Sequence, residues 1–177
     1  MPLIRRAGLD DTEQIAANHV RSWQAAYAHA LPSDFLAALD PADWALRRRE
    51  MLARRIPPAE VFVAEADGRV IGHAAVGRFR DEDNIAQDGI GEVMAIYVAP
   101  EHWSTGAGLA LMQTSVKHLV EQGLTEIRLW VIADNPRARG FYERFGFLLD
   151  GNSRMQPIGS GYEHLPPIKH VRYTLYR

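Results

Sequence analysis

The chain has 177 residues, a formal net charge of −2 and no cysteine, a length that suits one domain able to bury a core without covalent staples. The lack of thiols excludes disulfides, cysteine nucleophiles and cysteine-based metal sites, and fits a reducing cytoplasm. A near-neutral charge argues against nonspecific nucleic-acid binding, and Met1 opens a polar start with no run of the roughly 18 apolar residues that a membrane span needs.

Leu3–Arg6 reads as a short strand, and Asp10 followed by Glu13 resembles a capping-box entry to a helix that runs to about Ala28. Asp40-Pro41 opens a second helix by N-cap and N1 preference, and Pro57-Pro58 stops it after about Arg55. The basic clusters Arg47-Arg48-Arg49 and Arg54-Arg55 read as its wet face. Val61–Glu65 and Val70–Val76, joined through Asp67-Gly68, form a hairpin signal, and the polar, acidic stretch from Arg80 to Gly89 reads as a loop. Glu92 begins a central strand that includes Ile96-Tyr97-Val98 and ends before Pro100, which cannot donate a ladder hydrogen bond.

The next turn, Trp103-Ser104-Thr105-Gly106-Ala107-Gly108, empties into a helix beginning near Leu109. Glycines that let backbone N–H groups close on a diphosphate, at the partly positive mouth of a helix, make a phosphate cradle, so a nucleotide-bearing cofactor is expected. Leu109, Met112, Val116, Leu119 and Val120 form the helix's apolar stripe, and Gly123 ends it. Neither a Walker loop nor a dinucleotide fingerprint is present. A strand, Glu126–Val131, follows, then Asn135-Pro136 as N-cap and N1 of a short helix with Ala138, Phe141, Tyr142 and Phe145 on one stripe. The tail from Phe147 to Arg177 predicts two antiparallel strands joined by a loop rich in glycine and proline. Interleaved strands and helices predict an α/β (α+β) sheet fold.

The segment from Asn135 to Phe147 matches N-x-x-A-x-x-F/L-Y-x-x-x-G-F at every specified position, and Gly106 and Gly108 match the glycines of a Q/R-x-x-G-x-G/A turn. On these motifs, over about residues 60 to 150, the chain resembles the GCN5-related N-acetyltransferase (GNAT) superfamily. Trp103 departs from the usual Gln or Arg, which leaves phosphate binding to main-chain amides and the hydroxyls of Ser104 and Thr105. The resemblance implies a mixed, mostly antiparallel twisted sheet of about six to seven strands, about four flanking helices and two splayed central strands. It implies acetyl-CoA as co-substrate, no metal, and contacts to that carrier from Ile96, Tyr97, Val98, Trp103, Ser104, Thr105, Gly106, Ala107, Gly108, Leu109, Asn135 and Ala138.

Acetyl transfer to an amine needs a base, a donor to the carbonyl oxygen and a proton for the departing thiolate. The resemblance gives these roles to Glu92, to a main-chain N–H near Ile96 or Tyr97, and to Tyr142, with Asn135 on the pantetheine arm. An exposed glutamate is a weak base, so Glu92 is expected to be partly buried. Glu82, Asp83, Asp88 and His73 are the reserves, and a solvated strand-end glutamate or a core tyrosine are the plainer readings. The acceptor, a small-molecule or peptide amine, is expected near Trp23, Tyr27, Arg78, Arg80, Asp88, Tyr97, His164 and His170, although Trp23 and Tyr27 at i, i+4 also suit simple packing. Without a cysteine, direct attack in a ternary complex is expected. The alternative is a catalytically silent acyl-CoA-binding module on the same fold, and another acyl group could replace acetyl. The resemblance further implies a homodimer through the C-terminal strands.

Overall fold

The computed structural model describes residues 2–157 and 164–177. Seven strands form one sheet in the order β1-β2-β3-β4-β5-β7-β6, with β1 Leu3–Arg6, β2 Glu60–Ala66, β3 Arg69–Arg80, β4 Ala86–Val98, β5 Glu126–Ile132, β6 Leu148–Gln156 and β7 Ile168–Tyr176. Every neighbouring pair is antiparallel except β4 and β5. Among the described residues five helices flank it: α1 Thr12–Ala26, α2 Ser33–Ala37, α3 Pro41–Ala53, α4 Ala107–Glu121 and α5 Pro136–Phe145. The expected fold class is the one observed, with the short α2 as an addition.

The apolar pattern of each element decides its side of the sheet. Alternate residues of β5, Ile127, Leu129 and Val131, bury with Val93 of β4 and with Leu111, Met112, Leu119 and Tyr142 of α4 and α5 in one core. On the opposite face, Ile15 of α1 and Leu52 of α3 pack on Val61, Val63 and Ala75. By the same alternation Glu92, Trp130 and Arg172 lie on the side away from α4 and α5.

Of the segment from Arg80 to Gly89 expected as a loop, only residues 81–85 form the turn, and the rest is strand. β3 runs on to Arg80 and β4 starts at Ala86, with Arg78 opposite Gly91 and Arg80 opposite Ala86, so Glu92 sits within β4, opposite Gly77. This end of the hairpin is exposed on most of its residues and so carries no apolar alternation. Asp81 closes its turn, accepting from the amides of Asp83 (3.1 Å) and Ile85 (2.8 Å). Two other details differ from expectation. The carboxylate at the entry to α1 is Asp11, which accepts from Gly8 N at 2.8 Å, and Arg5 donates to it as well. In α4 the core side chain is Leu111, whereas Leu109 is 46% exposed. Asp40 does cap α3, its Oδ1 accepting from Ala42 N at 2.8 Å. The two C-terminal strands pair as expected, and their connecting loop lies partly outside the described residues.

Candidate active site

The sheet opens in its middle. β4 and β5 pair only from Ile90–Glu126 to Glu92–Arg128, and beyond that point they diverge around a cleft of about 570 Å³. Ala99 N donates to Ile71 O at 2.8 Å, so the ladder alternation turns the main chain of Val98 and Ile96 away from β3 and toward the gap. A carbonyl deprived of its ladder partner must find another. Val98 O finds two, the Ser22 hydroxyl at 3.0 Å and Trp103 Nε1 at 2.8 Å.

The glycine turn forms one wall. Ser104 (φ 63°) and Gly106 (φ 93°) take left-handed conformations, and Ala110 N donates to Gly106 O at 3.0 Å to start α4. The amides of Ala107, Gly108 and Leu109 therefore have no acceptor inside the helix and add to its positive end. Gly108 lies against Phe141 and Val98; a Cβ there would sit 3.8 Å from each. Thr105 is placed differently from its neighbours: its hydroxyl donates to His102 O at 2.7 Å, and it is not among the residues lining the cleft. Ala107 is buried in the core and contributes only backbone. The basic side chain missing at Trp103 arrives from elsewhere, because the Arg137 guanidinium lies 4.1 Å above the Trp103 ring. Such a stack contributes about 0.5–1 kcal/mol at an exposed site.

The chemistry-bearing side chains meet in this gap. Asn135 caps α5, its Oδ1 accepting from Ala138 N at 3.1 Å, with Pro136 at N1; both Asn135 and Ala138 line the cleft. Tyr142 is 8% exposed, packed among Phe141, Phe147 and Tyr173, and it also lines the cleft. Its hydroxyl makes no hydrogen bond among the described residues, and burial pushes its pKa up, so the phenol stays protonated at neutral pH. Glu92 is half-buried, and burial pushes its carboxyl up to about 7 against the opposing influence of Arg154. It is the one acidic residue lining the cleft among those described.

Of the acceptor candidates, Trp23, Tyr27, Tyr97 and His170 line the cleft. Trp23 and Tyr27 are also packed together, their rings 5.1 Å apart. Arg78 and Asp88 are not brought in: they lie on the exposed hairpin extension, 3.7 Å from one another, with the Asp88 carboxylate fully exposed. Arg80, Glu82, Asp83 and His164 also lie off its wall. His73 is buried under α1 beside His19 and Tyr97, and burial, with Arg48 and His19 adding, holds its pKa well below the usual range. Sequence reasoning missed Arg137, Trp130 and Arg154. Arg137 stood in a free position of the motif, and the other two become neighbours only when β6 and β7 fold back beside β5.

A family model described as the acetyltransferase (GNAT) family matches residues 20–147. The chain belongs to that family. It is 31% identical, over 96% of its own length and 97% of the relative's, to an uncharacterised N-acetyltransferase, YuaI, of Bacillus subtilis. It is also 36% identical to a mycothiol acetyltransferase of Streptomyces avermitilis, over 79% of this chain but 40% of that protein. The structure of a PaiA N-acetyltransferase from Thermoplasma acidophilum in complex with coenzyme A has the same fold, with a TM-score of 0.76 at 18% identity over 99% of both chains. This GNAT protein accordingly belongs with the acetyltransferases, and its cleft combines open amides at a helix mouth with a strand edge left free where β4 and β5 part.

Proposed function

We propose that the enzyme moves an acetyl group from acetyl-CoA to a primary amine of a small molecule or peptide, by direct attack in a ternary complex. One observation carries this reading: a carboxyl raised to about 7 and a protonated phenol with a free hydroxyl line the same cleft as the open amides of α4. Acetyl-CoA supplies the activated thioester. The amides of Ala107, Gly108 and Leu109, with the Arg137 guanidinium beside Trp103, take the diphosphate. The main chain of Ile96 and the amide of Val98 offer the strand edge to the pantetheine arm, with Asn135 and Ala138 across from them, whereas the Tyr97 main chain turns toward β3; the alternation thus favours the Ile96 amide as donor to the thioester oxygen. Glu92, poised near working pH, takes the ammonium proton directly or through water, and Tyr142 protonates the departing sulfur.

The test is a panel of amines incubated with the protein and acetyl-CoA while thiol release is followed. Release is expected with at least one amine, and Tyr142→Phe should lower kcat by about 100-fold, the low end for general acid catalysis, while acetyl-CoA affinity holds. Full activity in that variant rejects the role of Tyr142. Binding of acetyl-CoA without release to any amine would instead favour a silent binding module.

A further inference from the structure

We propose that the acceptor amine carries its own carboxylate, held by Arg154 while the amine faces Glu92. The inference rests on the transferase reading above and names the substrate class of that same site.

The sheet face turned away from α4 and α5 carries several arginines, and their partners differ. Arg128 is paired with Glu126 at 2.6 Å, and Arg172 is paired with Asp150 at 2.6 Å. Asp150 also accepts from the Thr174 hydroxyl at 2.7 Å, so it is fully engaged. Arg154 lines the cleft without an ion-pair partner among the described residues. Its Nε is shielded from solvent and has no hydrogen-bond acceptor among the described residues, and the buried Nε1 of Trp130 likewise has none among them. Glu92 and Glu82 act on Arg154 only through space. An unpaired guanidinium on the wall of a cleft is open to a ligand anion, which can pair with the terminal nitrogens.

The geometry suits a carboxylate in particular. The Arg154 guanidinium lies over the Trp130 ring, its Cζ 4.1 Å from the centroid, and a guanidinium held in this way can donate two parallel hydrogen bonds to a carboxylate. Its strand position, opposite His170 on β7 and thence Ile132 on β5, puts it across Trp130 from the β4 residue Glu92. An amine at Glu92 and an acid at Arg154 thus describe a zwitterion, an amino acid being the simplest. The charges of the wall agree: with Arg137 given to the diphosphate, Glu92, Arg144 and Arg154 are the charged residues left lining it among those described. Polyamines and aminoglycosides, which bring further positive charge and no carboxylate, leave Arg154 without a partner.

The experiment compares free amino acids with their carboxamides, the matching decarboxylated amines and a polyamine; peptides with an acidic or a neutral residue after the N-terminus separate free acids from acidic chains. Thiol release should be about 10- to 100-fold more efficient in kcat/KM for the carboxylate-bearing member of each pair, the range expected of a hydrogen-bonded charge. Arg154→Gln should erase that advantage by raising KM for the carboxylate-bearing amine, and Arg154→Lys should restore part of it; acetyl-CoA affinity reports that each variant is folded. Equal use of carboxylates and carboxamides by the parent, or a preference that survives in Arg154→Gln, overturns this inference alone. Failure to release thiol with any amine removes the transferase reading, and the inference falls with it.

Discussion

Glu92 shows how one residue's surroundings set its chemistry. Half-buried at the point where β4 and β5 part, its carboxyl is pushed up to about 7, with Arg154 pulling the other way. A general base acts when deprotonated, so a raised pKa means activity is present above that value and is lost as the pH falls through it. The pH profile of kcat/KM should therefore rise with an apparent pKa of about 7. Glu92→Gln should flatten that limb and lower kcat/KM by about 100-fold. A rising limb that persists unchanged in the variant assigns it to another group. Position alone made Glu92 readable in the sequence, because it stands on the strand before the glycine turn. Its half-burial was an inference from need. Tyr142 and Asn135 were readable as both structural and chemical residues, and each does hold a structural place, in the core and as N-cap.

Among the elements, the turn before α4 depends most on a particular backbone shape. Gly106 has φ 93°, and a Cβ there would touch nothing, so the demand for glycine is conformational rather than steric. A β-branched residue in the left-handed region costs about 1–3 kcal/mol, and the turn can relax by re-aiming the amides of Ala107 and Gly108. Gly106→Val should accordingly weaken acetyl-CoA binding at least tenfold in calorimetry, with far-ultraviolet circular dichroism unchanged. Retained affinity would remove the turn from the diphosphate site. The turn, α4 and α5 were legible because their glycines, caps and stripes are local signals. The extension of β3 and β4 past Arg78 was not, since strands projecting into water need no apolar alternation and are held by ladder bonds and by Asp81. Arg137 escaped notice for a different reason: its partner Trp103 lies on another element, and a stack across elements leaves no spacing to read.

The whole molecule adds what sequence order hides. The chain places β7 between β5 and β6, so β6 becomes an edge strand and its Leu148, Leu149 and Met155 remain 68%, 50% and 59% exposed. An apolar open edge is a surface that soluble proteins usually cover. We propose a second copy of the chain as its cover, and light scattering after size exclusion should give a dimer mass that Leu149→Lys with Met155→Glu converts to monomer. A monomer in the parent protein discards the proposal. The same topology explains why half of the cleft was legible and half was not: the carrier side comes from consecutive elements, whereas the acceptor side joins α1 to β6 and β7 across most of the chain.

The Val98 carbonyl, shared by Ser22 and Trp103, has a mechanical consequence. One oxygen thus ties the turn before α4 to α1 as well as ending the ladder of β4. Trp103→Phe would leave the Ser22 hydroxyl as that carbonyl's single partner among the described residues.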